Sequence, residues 1–242
     1  MEQEYSNIDS GQVEQMFDDI APDYDRLNHI LTLGIDKRWR KKLVRMILPL
    51  KGKKVLDIAT GTGDLAFSIV KHSPEHIHGI DFSEKMVELC NLKIQKKKVE
   101  HIFTSQQGNV MDLQFEDSTF DIATIAFGIR NFEDTNKALQ ETQRVLSSGG
   151  KLIVVEFFRS KLVEKNRLYR FYMKRIMPRI GKLISKHSWA YNYLFESTEN
   201  FLSETEFAEL LKQNGFEQIR IKKLMQGMAF IVEGVTHKTT KA

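Results

Sequence analysis

Hydrophobic positions change their period along the chain, and the changes mark out its elements. After a polar, acidic start over residues 1–10 that reads as frayed, Val13, Met16, Phe17 and Ile20 recur at helical spacing and stop at Pro22. Trp39, Leu43, Val44 and Ile47 predict a second helix over Asp36 to Leu48, with a run of Lys and Arg on it and Pro49 and Gly52 behind it. From residue 53 the pattern shortens into apolar runs of strand length. KKVLDIA, HIHGIDF, HIFTSQQGN, FDIATIAFG and KLIVVEFF predict five strands, the third weakest and the fourth apolar enough to be buried on both faces. LAFSIVKH, then EKMVELCNLKIQKK capped by Ser83, then a segment from Thr135 to Leu146 ahead of Ser147-Ser148-Gly149-Gly150 predict intervening helices.

After the fifth strand the alternation breaks into a basic, aromatic stretch at about 159–200. FLSETEFAELLKQNGF then predicts a helix opened by a capping box at Ser203 and Glu206 and stopped at Gly215. EQIRIKKLM and MAFIVEGV predict two strands joined tightly at Gln226-Gly227 and paired as a hairpin at the end of the sheet. Strands alternating with helices predict an α/β fold: a doubly wound, mostly parallel seven-stranded sheet with N-terminal helices and a helical insertion after strand five. Residues 1–50 read as an N-terminal helical lid and residues 51–242 as the sheet domain carrying the insertion at about 159–200. The tail THKTTKA reads as disordered, and there is no internal repeat.

Composition removes several classes. With 41% hydrophobic and 28% charged residues and only 4 Pro, the chain is neither fibrous nor intrinsically disordered. One cysteine, Cys90, excludes an internal disulfide framework, and beside Met86, Val87 and Leu89 it reads as a packed side chain. No run reaches the roughly 18–20 apolar residues of a membrane span, and the N-terminus has no signal core. The expectation is a cytoplasmic protein, peripheral at most to the inner face of a membrane. His72, His76 and His78 straddle a helix end and a strand start without a cysteine nearby, and no metal site is expected from them. Between Arg159 and Lys186 ten Lys or Arg face one acid, Glu164, and alternate with Tyr169, Phe171 and Tyr172. A solvated helix face and a surface for anionic membrane lipids both fit this run. No nucleic-acid partner is expected, because no recognised binding motif accompanies it. A homodimer through an apolar helix fits the pattern, although no residue marks an interface.

The segment VLDIATGTGDLA, residues 55–66, carries the most chemistry. A buried strand passes Asp57 into a turn with Gly61 and Gly63, where missing Cβ atoms let backbone approach a ligand. Twenty residues after Gly61 the second strand ends at Asp81, a carboxylate placed to accept both ribose hydroxyls of an adenosine. Gly61-x-Gly63-x-x-Ala66 also satisfies a dinucleotide fingerprint, so an NAD(P) oxidoreductase is the competing class. Against it stand the absence of any Tyr-x-x-x-Lys pair and the presence of Asp64, which repels a pyrophosphate from the helix start. The positive sulfur and amino group of S-adenosylmethionine reverse that demand and suit Asp57 and Asp64. Asn109, at the predicted end of strand three, can meet an adenine edge, with Val110 offering a backbone N–H. Arg130 and Asn131, in AFGIRN after strand four, reach the same rim.

Together MFDDIAPDYDRLNHILTLGIDKRWRKKL, VLDIATGTGDLA, TIAFGIRNF, RVLSSGGKLIVVEF and MPRIGKLISKHSWAYNYLFESTENF resemble the menaquinone/ubiquinone biosynthesis C-methyltransferase family, over roughly residues 12–235. The likeness is greatest to its demethylmenaquinone methyltransferases. It implies a class I, Rossmann-like S-adenosylmethionine-dependent fold, no metal, and methyl transfer to a ring carbon of a prenylated quinol. The implied cofactor positions are Thr60, Asp81, Asn109 and Val110. The sequence departs from the family in having Asn109 where Asp is common, Ala126 for a serine, Ser147-Ser148 before the paired glycines, and Phe158 for a serine. The ubiquinone-branch benzoquinol reaction, or methylation of another small molecule, are the alternatives. Carbon methylation needs an electron-rich ring, hence a quinolate that is stabilised or a base that makes one. Arg130 suits the first as a fixed cation and Asn131 as a hydrogen-bonding partner. The segment Phe17–Asn28 is expected to fold over the cofactor, with Tyr24, Asp25 and Asn28 as polar contributors and Asp25 the candidate base.

Overall fold

A computed structural model describes residues 10–25, 32, 34–159 and 189–237. The expected frayed start up to residue 9, Asn28, the basic run over residues 160–188 and the last five residues lie outside these, whereas Ser10 and Thr236, read as frayed and disordered, lie in a helix and a strand. Two helices come first, α1 (Ser10–Ile20), continued by a single 3-10 turn at Ala21–Asp23, and α2 (Ile35–Met46). Then strand and helix alternate: β1 (Lys54–Ile58), α3 (Asp64–Val70), β2 (His76–Asp81), α4 (Glu84–Lys97), β3 (Phe103–Gln107), β4 (Phe120–Ala126), α5 (Thr135–Val145) and β5 (Leu146–Glu156). The chain closes with α6 (Trp189–Asn200), α7 (Glu204–Gln213), β6 (Phe216–Leu224) and β7 (Ala229–Thr236).

The strands form one sheet in the order β3-β2-β1-β4-β5-β7-β6. The first five run parallel, while β7 is antiparallel to both β5 and β6. The expected hairpin is present, turning at Met225–Gly227, and it places the last strand inside and β6 at the edge. The charges of β6 explain the order, because exposed Glu217, Arg220, Lys222 and Lys223 suit a strand open to water on one side.

Apolar side chains on both sides of the sheet hold the helices against it. Leu56, Ile58, Phe120 and Val154 meet Leu139 of α5 and Phe207 of α7. Val55, Ile77 and Ile153 meet Leu43 of α2, Ile69 of α3 and Cys90 of α4. A helix as short as α3 is not stable alone in water. Buried Leu65, Ala66 and Ile69 hold it in place, each large apolar side chain contributing about 1.5–3 kcal/mol. Ser83 caps α4 by accepting from the Met86 N–H, and the Ser203–Glu206 capping box opens α7 as expected.

Two strands differ from the sequence pattern. β3 stops at Gln107, because after Phe103 its side chains are exposed or half-buried at the sheet edge. Asn109 therefore stands two residues beyond it. β5 starts early: Leu146 pairs with Phe120, the register shifts, and regular pairing resumes at Ile122 with Lys151.

Cys90 is wholly buried, and burial pushes its thiol up to about 12. Thiolate is the reactive form, so the native chain is expected to resist iodoacetamide at pH 8 and to be alkylated once denaturant is added. Native labelling at the rate of an exposed thiol would contradict this packing.

Candidate active site at the carboxyl edge of the sheet

From β1 the chain winds outward through β2 and β3, then restarts on the other side of β1 with β4 and β5. Connections leaving β1 and β4 diverge at their carboxyl ends, and ligands bind in the crevice this opens. Asp57 shapes the floor. It is buried, its Oδ2 accepts from Thr60 Oγ1 at 2.8 Å, and its Oδ1 accepts from Thr124 Oγ1 of β4 at 2.6 Å. These bonds fix the turn after β1, where Gly63 has φ +87° and a Cβ would come within 2.7 Å of Cys90 Sγ. No other residue fits there without displacing the core.

The turn brings the Gly61 N–H to Asp81, whose Oδ2 accepts it at 2.7 Å, while Oδ1 accepts from the Ser83 N–H at 3.0 Å. Asp81 keeps part of its surface open, yet the atoms packed about its carboxyl push it up to about 6, against the lowering effect of those backbone donors. Burial likewise raises Asp57 to about 6, and its two threonine partners only partly offset this. Between about pH 4 and 6 the native chain thus holds protons that the unfolded chain has released. Both acids therefore favour the fold at low pH, and that contribution is lost as pH rises through about 6.

A cleft opens above this floor, with about 990 Å³ of space when its solvent-open mouth is included. Gly61 and Asp81 lie at one wall, with Phe82 and Met86 beside them, and Asn109, Val110 and Met111 continue it. Asn109 Oδ1 accepts from the Met111 N–H at 2.9 Å, which fixes its amide at the rim. Phe127, Gly128 and Asn131 form the opposite wall. Val13, Phe17 and Tyr24 reach in from the N-terminal segment. Asp18 holds that segment to the start of α4, accepting from Ser83 Oγ, and Asp25 holds it to the glycine turn, accepting from Thr62 Oγ1. The only charged side chains among the described lining residues are Asp81 and Glu133, and both are acidic.

Several expected residues stand behind the wall rather than in it. Asp57, Thr60 and Gly63 support the turn without lining the cavity. Asp64 lies 3.3 Å from Arg40 and 3.9 Å from Lys93. Asp25, the expected base, is ion-paired with Lys93 and is not a lining residue, so its charge is already matched by a cation. Arg130 has only 7% of its side chain exposed: Nη1 donates to Glu156 Oε1 at 2.6 Å and to the Phe127 carbonyl at 2.9 Å, and Nε donates to Ser197 Oγ at 3.3 Å. Asn131, next in the chain, does line the cavity, and its Oδ1 accepts from the Tyr193 hydroxyl at 3.0 Å. Removal from water raises Glu156, an effect the Arg130 charge opposes, and its Oε2 is buried without a hydrogen-bond partner among the described residues.

Glu156, Tyr193 and Ser197 escaped the sequence reading. Glu156 had a signal, a lone acid closing the apolar run LIVV as Asp81 closes its own strand. Tyr193 and Ser197 are four apart, on one face of a helix, yet nothing in their spacing points to residues some sixty positions earlier.

Comparison with known proteins accords with this geometry. Residues 5–236 match the model of the ubiE/COQ5 methyltransferase family. A demethylmenaquinone methyltransferase of Bacteroides fragilis is 39% identical over 220 residues, covering 90% of each chain. A ubiquinone/menaquinone biosynthesis C-methyltransferase UbiE of Geobacter sulfurreducens is 41% identical over 227 residues, covering 92% of this chain and 88% of that one. Among solved structures, the [4+2]-cyclase SpnF superposes with TM-score 0.73 at 16% identity, covering 95% of this chain and 97% of that one. A SAM-dependent methyltransferase of Thermotoga maritima superposes with TM-score 0.65 at 20% identity, covering 91% and 98%. Those two likenesses establish the Rossmann-like fold of class I methyltransferases, and the matched length and identity of the first two establish more: the chain belongs to the ubiE/COQ5 methyltransferase family.

Proposed function

We propose that the protein transfers a methyl group from S-adenosylmethionine to a ring carbon of a prenylated quinol, converting demethylmenaquinol to menaquinol. The observation that carries this reading is the cavity's charge. A lining with acidic groups and no Lys or Arg among its described residues suits a cationic sulfonium and opposes the pyrophosphate of a dinucleotide. Relatives 38–41% identical over most of the chain, named for demethylmenaquinone or ubiquinone/menaquinone methylation, supply the substrate class. Other folds of this shape do other chemistry, so the fold by itself would not.

In this reading Asp81 accepts the ribose hydroxyls, Gly61 lets the glycine turn approach, and Asn109 and the Val110 N–H meet the adenine edge. Held there, S-adenosylmethionine would supply a methyl group on positive sulfur: the new carbon–carbon bond would replace the sulfur–methyl bond and leave a neutral thioether, and the proton displaced from the ring carbon would pass to water. Phe127, Phe132 and Phe17 offer an apolar surface for the acceptor ring, and Tyr24 closes over Gly61. Asn131 faces the acceptor with a hydrogen-bonding amide, while buried Arg130, paired with Glu156, fixes the turn behind it. A lid formed by α1 and the turn after it, which bring Val13, Phe17 and Tyr24 to the cavity, would exclude water, which aligns the reactants and strengthens each polar contact. A prenyl tail keeps the acceptor in a membrane. No helix among the described residues is long and apolar enough to cross one. Exposed Lys37, Arg38, Lys41 and Arg45 along α2 support contact with an anionic surface instead.

The purified chain, given labelled S-adenosylmethionine and demethylmenaquinol, is expected to carry label into menaquinol. Bound cofactor without label transfer would overturn the acceptor assignment, and transfer to a benzoquinol in its place would assign the ubiquinone branch. The affinity for S-adenosylhomocysteine is expected to hold from pH 8 to 7. It should then fall as pH drops through about 6, where protonation removes Asp81 as an anionic acceptor. The decline approaches about tenfold per unit. Asp81→Asn is expected to bind weakly at every pH with most of that slope gone, whereas a flat wild-type profile from pH 8 to 5 would contradict the role of Asp81.

A further inference from the structure

Helix α6 sends two hydroxyls to consecutive residues of the turn after β4. Ser197 Oγ accepts from Arg130 Nε at 3.3 Å, and the Tyr193 hydroxyl donates to Asn131 Oδ1 at 3.0 Å. Tyr193 and Ser197 are four residues apart and so share a helix face, which makes α6 a ruler laid along the turn Ile129–Asn131. The two targets differ in consequence. Arg130 is already anchored by Glu156 and the Phe127 carbonyl, but the Asn131 side chain has no other hydrogen bond among the described residues.

An asparagine amide offers an acceptor on one side and two donors on the other. With the acceptor taken by Tyr193, the Nδ2 donors are turned away from α6, and Asn131 is a wall residue of the cavity. We propose that Tyr193 is a positioning residue for methyl transfer: by holding Asn131 Oδ1 it commits the Asn131 N–H groups to the acceptor's ring oxygen. A donor aimed at that oxygen stabilises the charge that gathers there as the ring becomes nucleophilic. The reversed amide would offer a second acceptor and repel it. Burial raises the Tyr193 hydroxyl above its ordinary range, which keeps its proton available to donate at neutral pH. The inference rests on the quinol C-methylation reading above.

A double-mutant cycle on kcat tests it, with S-adenosylhomocysteine affinity measured alongside. Tyr193→Phe keeps the ring and its packing and removes the donor. It is expected to lower kcat about tenfold, the scale of one hydrogen bond, with cofactor affinity unchanged. In an Asn131→Ala background the same change is expected to cost less than twofold, because nothing remains to orient. Asn131→Asp retains an acceptor for Tyr193 but has no N–H, and should lose at least as much turnover as Asn131→Ala. Equal factors for Tyr193→Phe in both backgrounds, an unaltered kcat, or full activity in Asn131→Asp would overturn the proposal. A wild-type chain that binds cofactor and methylates no quinol would overturn the functional reading, and the inference with it.

Discussion

Asp57 sits at the centre of the sheet with one carboxylate oxygen on Thr60 and the other on Thr124. Those two hydrogen bonds tie the turn after β1 to the adjacent strand β4, across the point where the chain reverses its winding. A buried carboxyl satisfied by two hydroxyls holds a turn more rigidly than apolar packing would, since hydrogen bonds are directional. Everything on the cavity floor follows from the position so fixed. Gly61 reaches Asp81, Gly63 fits over Cys90, and α3 starts against the core. The burial that makes the bond effective also raises the Asp57 carboxyl, so the brace carries an electrostatic cost that the threonines only partly relieve.

Above that floor the polar groups are sorted by whether they reach the cavity or support groups that do. Arg130 and Glu156 form a buried pair behind the wall, and breaking such a pair by removing one partner typically costs about 3–5 kcal/mol. Asp25 and Lys93 form a partly exposed pair at the glycine turn, where it joins the N-terminal segment to α4. Charge is therefore spent on fixing the walls, and the surfaces left facing the ligand are mostly apolar or uncharged. Such an enclosure suits an aromatic acceptor and makes its few polar contacts more effective.

Much of this was legible in the residues. The switch from helical to strand spacing at residue 53, the buried runs ending near Gly61 and at Asp81, and the caps at Ser83 and Ser203 follow from local rules that the packing obeys. Local rules fail where a partner is distant in the chain. Arg130 and Asp25 read as a substrate-facing cation and a candidate base because Glu156 and Lys93 lie 26 and 68 positions away. Tyr193 and Ser197 read as ordinary helix residues for the same reason. β3 read two residues too long because its register with β2 ends at Gln107, where the Gly108 N–H makes a last bond to the Asp81 carbonyl and Asn109 turns to accept from the Met111 N–H. Spacing marked out the carboxyl edge of the sheet on which the cavity opens, but not which polar groups along it were already engaged.

The proposed chemistry requires an adenosyl ligand lying across that edge with its sugar on Asp81. A crystal structure of the protein with S-adenosylhomocysteine tests this most directly. The expected result places both ribose hydroxyls within hydrogen-bond distance of the Asp81 carboxylate and the adenine beside Phe82, Asn109 and Val110. A ligand bound with its ribose elsewhere, or a cavity that stays empty at saturating concentration, would contradict it.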